Sequence, residues 1–228
     1  MIGIIGAMSV EVDKLKSLIE DKMISLWGGI EFASGKINGK SVVVAKCGIG
    51  KVFAAVCTQT MILKFSPDVI INTGVAGAVS SELHPGDVVV AKDTVQYDMD
   101  TTAFGDPLGL ISGLDIVHIP CLGSASREIA EYAKEKGINT FYGTLACADR
   151  FLNDKSTKNM LKEKFNALAC DMESGSINHV CYLNNTSCAV VRAISDTADG
   201  GSVDDYTRFL SESAQKAVEV VLEYIDKH

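Results

Sequence analysis

Ser187-Cys-Ala-Val-Val-Arg-Ala-Ile-Ser-Asp-Thr-Ala-Asp199 drives two charges into what otherwise reads as a buried strand. Cys188 to Ile194 is short, apolar and rich in small and β-branched residues, the pattern of a strand covered on both faces in a parallel sheet. Arg192 interrupts that run, and a buried guanidinium costs several kcal/mol unless a carboxylate meets it, so an acid from elsewhere in the chain is expected beside it. Asp196 follows at strand spacing, near the carboxyl end, where open α/β sheets place their ligands. A structural ion pair beside a helix N-cap explains the same residues without any ligand.

Working outward, strands alternate with helices. Ile2 to Met8 is an apolar run, and Val12, Leu15, Leu18 and Ile19 then recur at helical spacing, so a strand hands over to a helix near Ser9. Glu11 falls in the first turn of that helix, where the dipole favours a carboxylate. Residues 24–46 read as a β meander, with Gly28-Gly29 and Asn38-Gly39 as turn signals. Gly48-Ile49-Gly50-Lys51 is a glycine-flanked turn opening a helix, able to hold an anion but lacking the Walker pattern. Asp68 to Asn72 is a further strand, and the small residues Gly74 to Ala78 after it suit either close approach to a ligand or tight packing. Phe141 to Ala148 and Ala167 to Cys170 are strands, with helices predicted over 124–136 (a Ser124 cap, Gly137 after it), 155–165 and 174–183. The segment 155–165 reads as polar, and the C-terminal stripe from Phe209 to Ile225 as a packing helix.

The composition narrows the function classes. A chain of 228 residues, 47% apolar and 22% charged, can bury a large core, read here as one domain over 1–228. A net charge of −8 argues against nucleic acid or an anionic membrane surface as the main partner and favours a small molecule. Seven cysteines with no C-x-x-C pair suggest neither a disulfide framework nor a zinc site, but small core residues of a cytoplasmic protein. No run reaches transmembrane length, and the N-terminus lacks the features of a secretory signal. Asp98, Asp100 and Asp106 miss the calcium-loop spacing, so no metal and no cofactor is expected.

Glu11, Glu173 and Asp196 each fall just past a predicted strand, so one edge of the sheet gathers three carboxylates around Arg192. Such a group pushes its pKa values apart, the condition for separate acid and base roles at neutral pH. No histidine lies at these strand exits, which points to acid–base work without a covalent intermediate.

Ile2-Gly3-Ile4-Ile5-Gly6-Ala7-Met8 with Glu11, Gly48-Ile49-Gly50-Lys51, Asp68 to Gly74, Asp171-Met172-Glu173 and Val191 to Asp196 together resemble the bacterial methylthioadenosine/S-adenosylhomocysteine nucleosidases of the nucleoside phosphorylase superfamily. The resemblance runs almost end to end and is weakest over about 105–140. It implies a single-domain three-layer α/β fold, with a central mixed, partly barrel-like sheet flanked by helices, working as a homodimer on an adenine nucleoside. It further implies that Asp196 protonates adenine N7 with Ser195 orienting it, that Glu11 activates water and that Arg192 helps hold that water. An aspartate at its usual pKa of about 3.9 would not hold the proton at pH 7, so its site must raise the value. Glu173 and the Met172 backbone would bind the ribose hydroxyls, Phe151 would stack on adenine, and the Leu152 backbone would read its edge. Met8, Ile49 and Tyr206 would line the ribose and 5′-thio pocket, with Val75 and Gly77 beside it, and Phe104 would reach across the dimer. Val75 stands where many members carry a serine, and residues 106–122 depart from the usual pattern. Two rivals share the fold: a nucleoside phosphorylase, which needs cationic side chains for phosphate and has few arginines here, and a nucleoside-binding protein without turnover.

Overall fold

The computed structural model describes residues 1–196 and 203–228, and side chains within 1–196 and 207–228. The N-terminal apolar run forms β1 (Ile2–Gly6), followed by α1 (Ser9–Ser17). The meander is β2 (Glu20–Trp27), β3 (Ile30–Ile37) and β4 (Lys40–Lys46). Both of its turns take positive φ, 57° and 78° at Gly28-Gly29 and 49° and 78° at Asn38-Gly39, which is why those dipeptides mark two-residue hairpins. The chain continues through α2 (Lys51–Phe65), β5 (Val69–Ala78), β6 (Val88–Gln96), β7 (Ile119–Pro120), α3 (Ala125–Glu135) and β8 (Thr140–Cys147). It then passes through α4 (Lys155–Phe165), β9 (Ala167–Asp171), α5 (Ser174–Leu183), β10 (Ser187–Asp196) and α6 (Val203–Lys227). Ser124 does precede α3, but its hydroxyl makes no cap bond; its carbonyl accepts from the Arg127 and Glu128 amides instead.

One ten-stranded sheet runs through the molecule. Strands β5, β10, β6, β8 and β9 close on themselves: β10 is parallel to β5, β6 antiparallel to β10, β8 parallel to β6, β9 parallel to β8, and β9 antiparallel to β5. From β5 the sheet also continues outward through β1, β4, β3 and β2. The sheet is thus mixed and partly barrel-like, as the sequence implies. Strand β5 belongs to both parts. It pairs with β1 as far as Asn72 and with β9 only from Gly77, so residues 73–76 pair with neither and the sheet opens there.

Helices cover both faces. Helices α1, α3 and α6 bury one face through residues such as Leu15, Ile129 and Val221, while α2 and α5 cover the other through Met61, Ile177 and Cys181. Helix α4 packs Leu161 and Phe165 into a smaller cluster against the barrel. All seven cysteines are free thiols, six of them buried, consistent with a core role.

Candidate active site

The opening in β5 receives Glu11. Because α1 begins just past β1, the first-turn carboxylate turns back over the strand end. Its Oε2 accepts from the Ala7 and Met8 amides at 2.7 and 2.9 Å, and its Oε1 accepts from the Val75 amide at 3.1 Å. Gly74 makes this possible, since a Cβ there would lie 2.4 Å from Oε1. The glycine thus makes room for a side chain of the protein itself, whereas the sequence left open a ligand or a packed neighbour. Burial pushes the Glu11 carboxyl above its usual range, against the opposing pull of Arg192 and the three backbone donors.

Asp196 stands at the end of β10, just after the register with β5 slips between Ile194 and Asp196. Such an irregularity re-aims the side chains beside it. Ser195 Oγ lies 3.2 Å from Asp196 Oδ1 and 3.3 Å from the Ala76 carbonyl. A Cβ on Gly77 would stand 3.1 Å from both Asp196 oxygens, so this glycine too clears space for a carboxylate. On the far side, Lys158 of α4 places its Nζ 3.4 Å from Asp196 Oδ2, with both side chains almost fully buried.

The acid demanded by Arg192 is Asp171, at the end of β9. Arg192 Nε and Nη2 both lie 2.7 Å from Asp171 Oδ2. The Arg192 guanidinium also bonds the Asn72 carbonyl and side-chain oxygens and its neighbour's carbonyl. The other Asp171 oxygen accepts from the Ser174 amide and hydroxyl. Burial opposes the charge on Arg192, but Asp171 and, behind it, Glu11 and Glu173 more than offset this, so the guanidinium stays protonated. Burial first, then Asp171, push Glu173 up to about 7. The Glu173 carboxylate accepts from the Gly50 amide at 2.8 Å, and Asp149 accepts from the Lys51 amide at 2.7 Å. The anion-binding start of α2 that the glycine turn predicts is therefore filled by the protein's own carboxylates.

These groups surround a cavity of ≈ 320 Å³. Glu11, Met8, Val75, Gly77, Ser195, Asp196, Met172 and Glu173 all line it. Ile49, Phe151 and Leu152 complete the wall, with Ile49 and Phe151 partly open to solvent. Arg192 is not part of the lining. Its hydrogen bonds go to Asp171 and Asn72, both buried. Phe104 is 88% exposed and is not among the residues lining the cavity. The Tyr206 side chain falls outside the described residues. Asp98 is not a free loop acid, since it pairs with Lys51 at 2.7 Å and accepts from the Asp149 amide. No group able to hold a metal occurs among the described residues.

Sequence reasoning passed over Asp171 and Lys158. The first was hidden beside Glu173 in one strand exit. The second carried a signal: Lys158, Leu161 and Phe165 recur at i, i+3 and i+7, which puts the lysine on the apolar face of α4.

A partly closed α/β sheet that gathers carboxylates at its strand ends around a cavity is a site built for a small polar ligand. The chain belongs to the phosphorylase superfamily, whose family model matches residues 1–226. Among its relatives, the 5′-methylthioadenosine/S-adenosylhomocysteine nucleosidase of Haemophilus influenzae is 38% identical, covering 99% of both chains. The enzyme of the same name from Oceanobacillus iheyensis is 36% identical over 99% of both. Of solved structures, an aspartate-to-asparagine mutant of the Helicobacter pylori nucleosidase with 5′-methylthioadenosine in its active site superposes with a TM-score of 0.95. It is 33% identical, with 100% of this chain and 98% of that one covered. A structure described as futalosine hydrolase of the same organism gives 0.94 at 34% identity, covering 100% and 97%. The resemblance read from five motifs is borne out.

Proposed function

We infer that this chain is an N-glycosyl hydrolase that cleaves 5′-methylthioadenosine and S-adenosylhomocysteine, releasing adenine and the 5′-thioribose. The observation that carries hydrolysis over phosphorolysis is the seat of Glu11. Three converging backbone amides beside the cavity make a natural anion site, and a carboxylate of the chain already fills it. A phosphate nucleophile would meet that negative charge. The basic residue among the described lining groups, Arg150, is turned to Asp154 at 2.7 Å on the surface. A carboxylate lifted above its usual range is instead suited to taking a proton from water.

Catalysis divides between two carboxylates of the cavity. Asp196, oriented by Ser195, protonates adenine at N7 and turns a poor anionic leaving group into a neutral one. As the glycosidic bond lengthens, positive charge spreads over C1′ and the ring oxygen. Water activated by Glu11 then adds at C1′. Glu173 and the Met172 backbone hold the ribose hydroxyls, Phe151 stacks on the base, and the Leu152 backbone reads its edge. Met8 and Ile49, with Val75 nearby, give the 5′-thio group an apolar wall. Arg192 helps hold the water that Glu11 activates and is a fixed positive charge that steadies Asp171 and Glu11.

The working unit in this reading is a homodimer with Phe104 reaching toward the partner's site. In its support, Val52, Phe53, Val56 and Leu63 expose a band of apolar side chains along α2, continued by Leu26 and Trp27 of β2. One sheet linking both ends supports a single domain over 1–228. A cytoplasmic setting accords with the seven free thiols, and no described helix is long and apolar enough to cross a membrane.

Incubation of the purified protein with 5′-methylthioadenosine, followed by chromatography, tests the assignment. Catalytic release of adenine is expected. Binding of the intact nucleoside without release would contradict it and favour a binding protein.

A further inference from the structure

Lys158 stands beside the proton donor with a charge that works against donation. It shares the buried face of α4 with Leu161 and Phe165, and its Nζ lies 3.4 Å from Asp196 Oδ2, the two side chains being 2% and 4% exposed. A lysine so deeply buried requires an anion. From β9 the pair is faced by Cys170, whose thiol is pushed up to about 12 by burial and is neutral. Next to Cys170, Asp171 is matched by Arg192 of β10. Glu11 and Glu173 line the same cavity as Asp196, while β5 presents Gly77 and no charge. Among the described residues, then, Lys158 is the ammonium set against Asp196.

We propose that Lys158 is a positioning residue for proton donation: it aims the Asp196 carboxyl at the cavity and, by favouring the carboxylate, sets the alkaline limit of activity. The inference rests on Asp196 being the acid. A nearby positive charge in a buried site favours the ionised acid, so the proton-bearing form survives only to a lower pH. Removing the charge extends that form to higher pH. A lysine that merely packed α4 against the barrel would change rate or stability without moving this limit.

The test is kcat/KM for adenine release from 5′-methylthioadenosine as a function of pH, in the wild type and in Lys158→Met, Lys158→Gln and Lys158→Arg. The alkaline limb is expected to move up by roughly 1–3 pH units in the Met and Gln variants and to stay near its wild-type position in the Arg variant. If Lys158→Met does not fold, Lys158→Gln, which keeps a hydrogen-bond donor, gives the same comparison. A limb that stays in place or moves down in the uncharged variants overturns the proposal, whatever their rates or melting temperatures. A wild type that releases no adenine overturns the nucleosidase reading, and this inference with it; an active wild type with an unmoved limb overturns the inference alone.

Discussion

Glu11 and Asp196 are both buried carboxylates on one cavity, yet the protein holds them in opposite ways. Glu11 is held by the amides of Ala7, Met8 and Val75, with its nearest cation one layer back. Asp196 has a lysine and a serine hydroxyl against it. Backbone dipoles are fixed by the fold and do not titrate near neutral pH, so they suit the base proposed for Glu11. Side-chain partners can be retuned one residue at a time, which suits an acid whose protonation decides the rate.

Removing either carboxylate should have the largest effect. Glu11→Gln and Asp196→Asn are each expected to keep nucleoside binding while lowering kcat for adenine release by roughly 10²–10⁴-fold. An active Asp196→Asn enzyme would break the division of labour. Arg192 serves both sides, and Arg192→Met leaves Asp171 buried without its cation. Denaturant unfolding should show a loss of roughly 3–5 kcal/mol; wild-type stability would mean that the pair is not the brace described.

The third carboxylate gives a smaller, pH-dependent effect. Glu173 rises from an ordinary value of 4.5 to about 7, so the folded protein holds that proton more tightly than the unfolded chain. Its contribution to stability is complete below about pH 4.5 and is lost as the pH rises through 7, amounting to at most roughly 3 kcal/mol. Glu173→Gln keeps an acceptor for the Gly50 amide and removes the titration. Urea unfolding at pH 5 and pH 8 should therefore show the variant gaining on the wild type at the higher pH. An equal difference at both values would place the Glu173 proton elsewhere.

The contrast between the two carboxylates also explains what the sequence discloses. Part of the seat of Glu11 follows from local order: an apolar strand, a short turn and a first-turn acid. Each is visible in the letters, as are the two hairpins and the alternation of strands and helices. Closure of the barrel through β9 and β5 comes from strand pairings far apart in the chain, and only the resemblance implied it. The surroundings of Asp196 come from α4, 38 residues away in sequence, whose lysines 155, 158, 162 and 164 make it look like a solvated face. The fold turns that helix so that Lys158 points inward. Arg192 demanded a partner, but several acids qualified, and choosing Asp171 required knowing that β9 and β10 both pair with β5, which puts their ends one strand apart.

The central claim is that Glu11 replaces the anion a phosphorylase would bind. Adenine release from 5′-methylthioadenosine, measured with and without inorganic phosphate and with the sugar product identified, tests it most directly. Equal release in both, with free methylthioribose as the co-product, is the expected result. Release that depends on phosphate and yields a sugar 1-phosphate would contradict it.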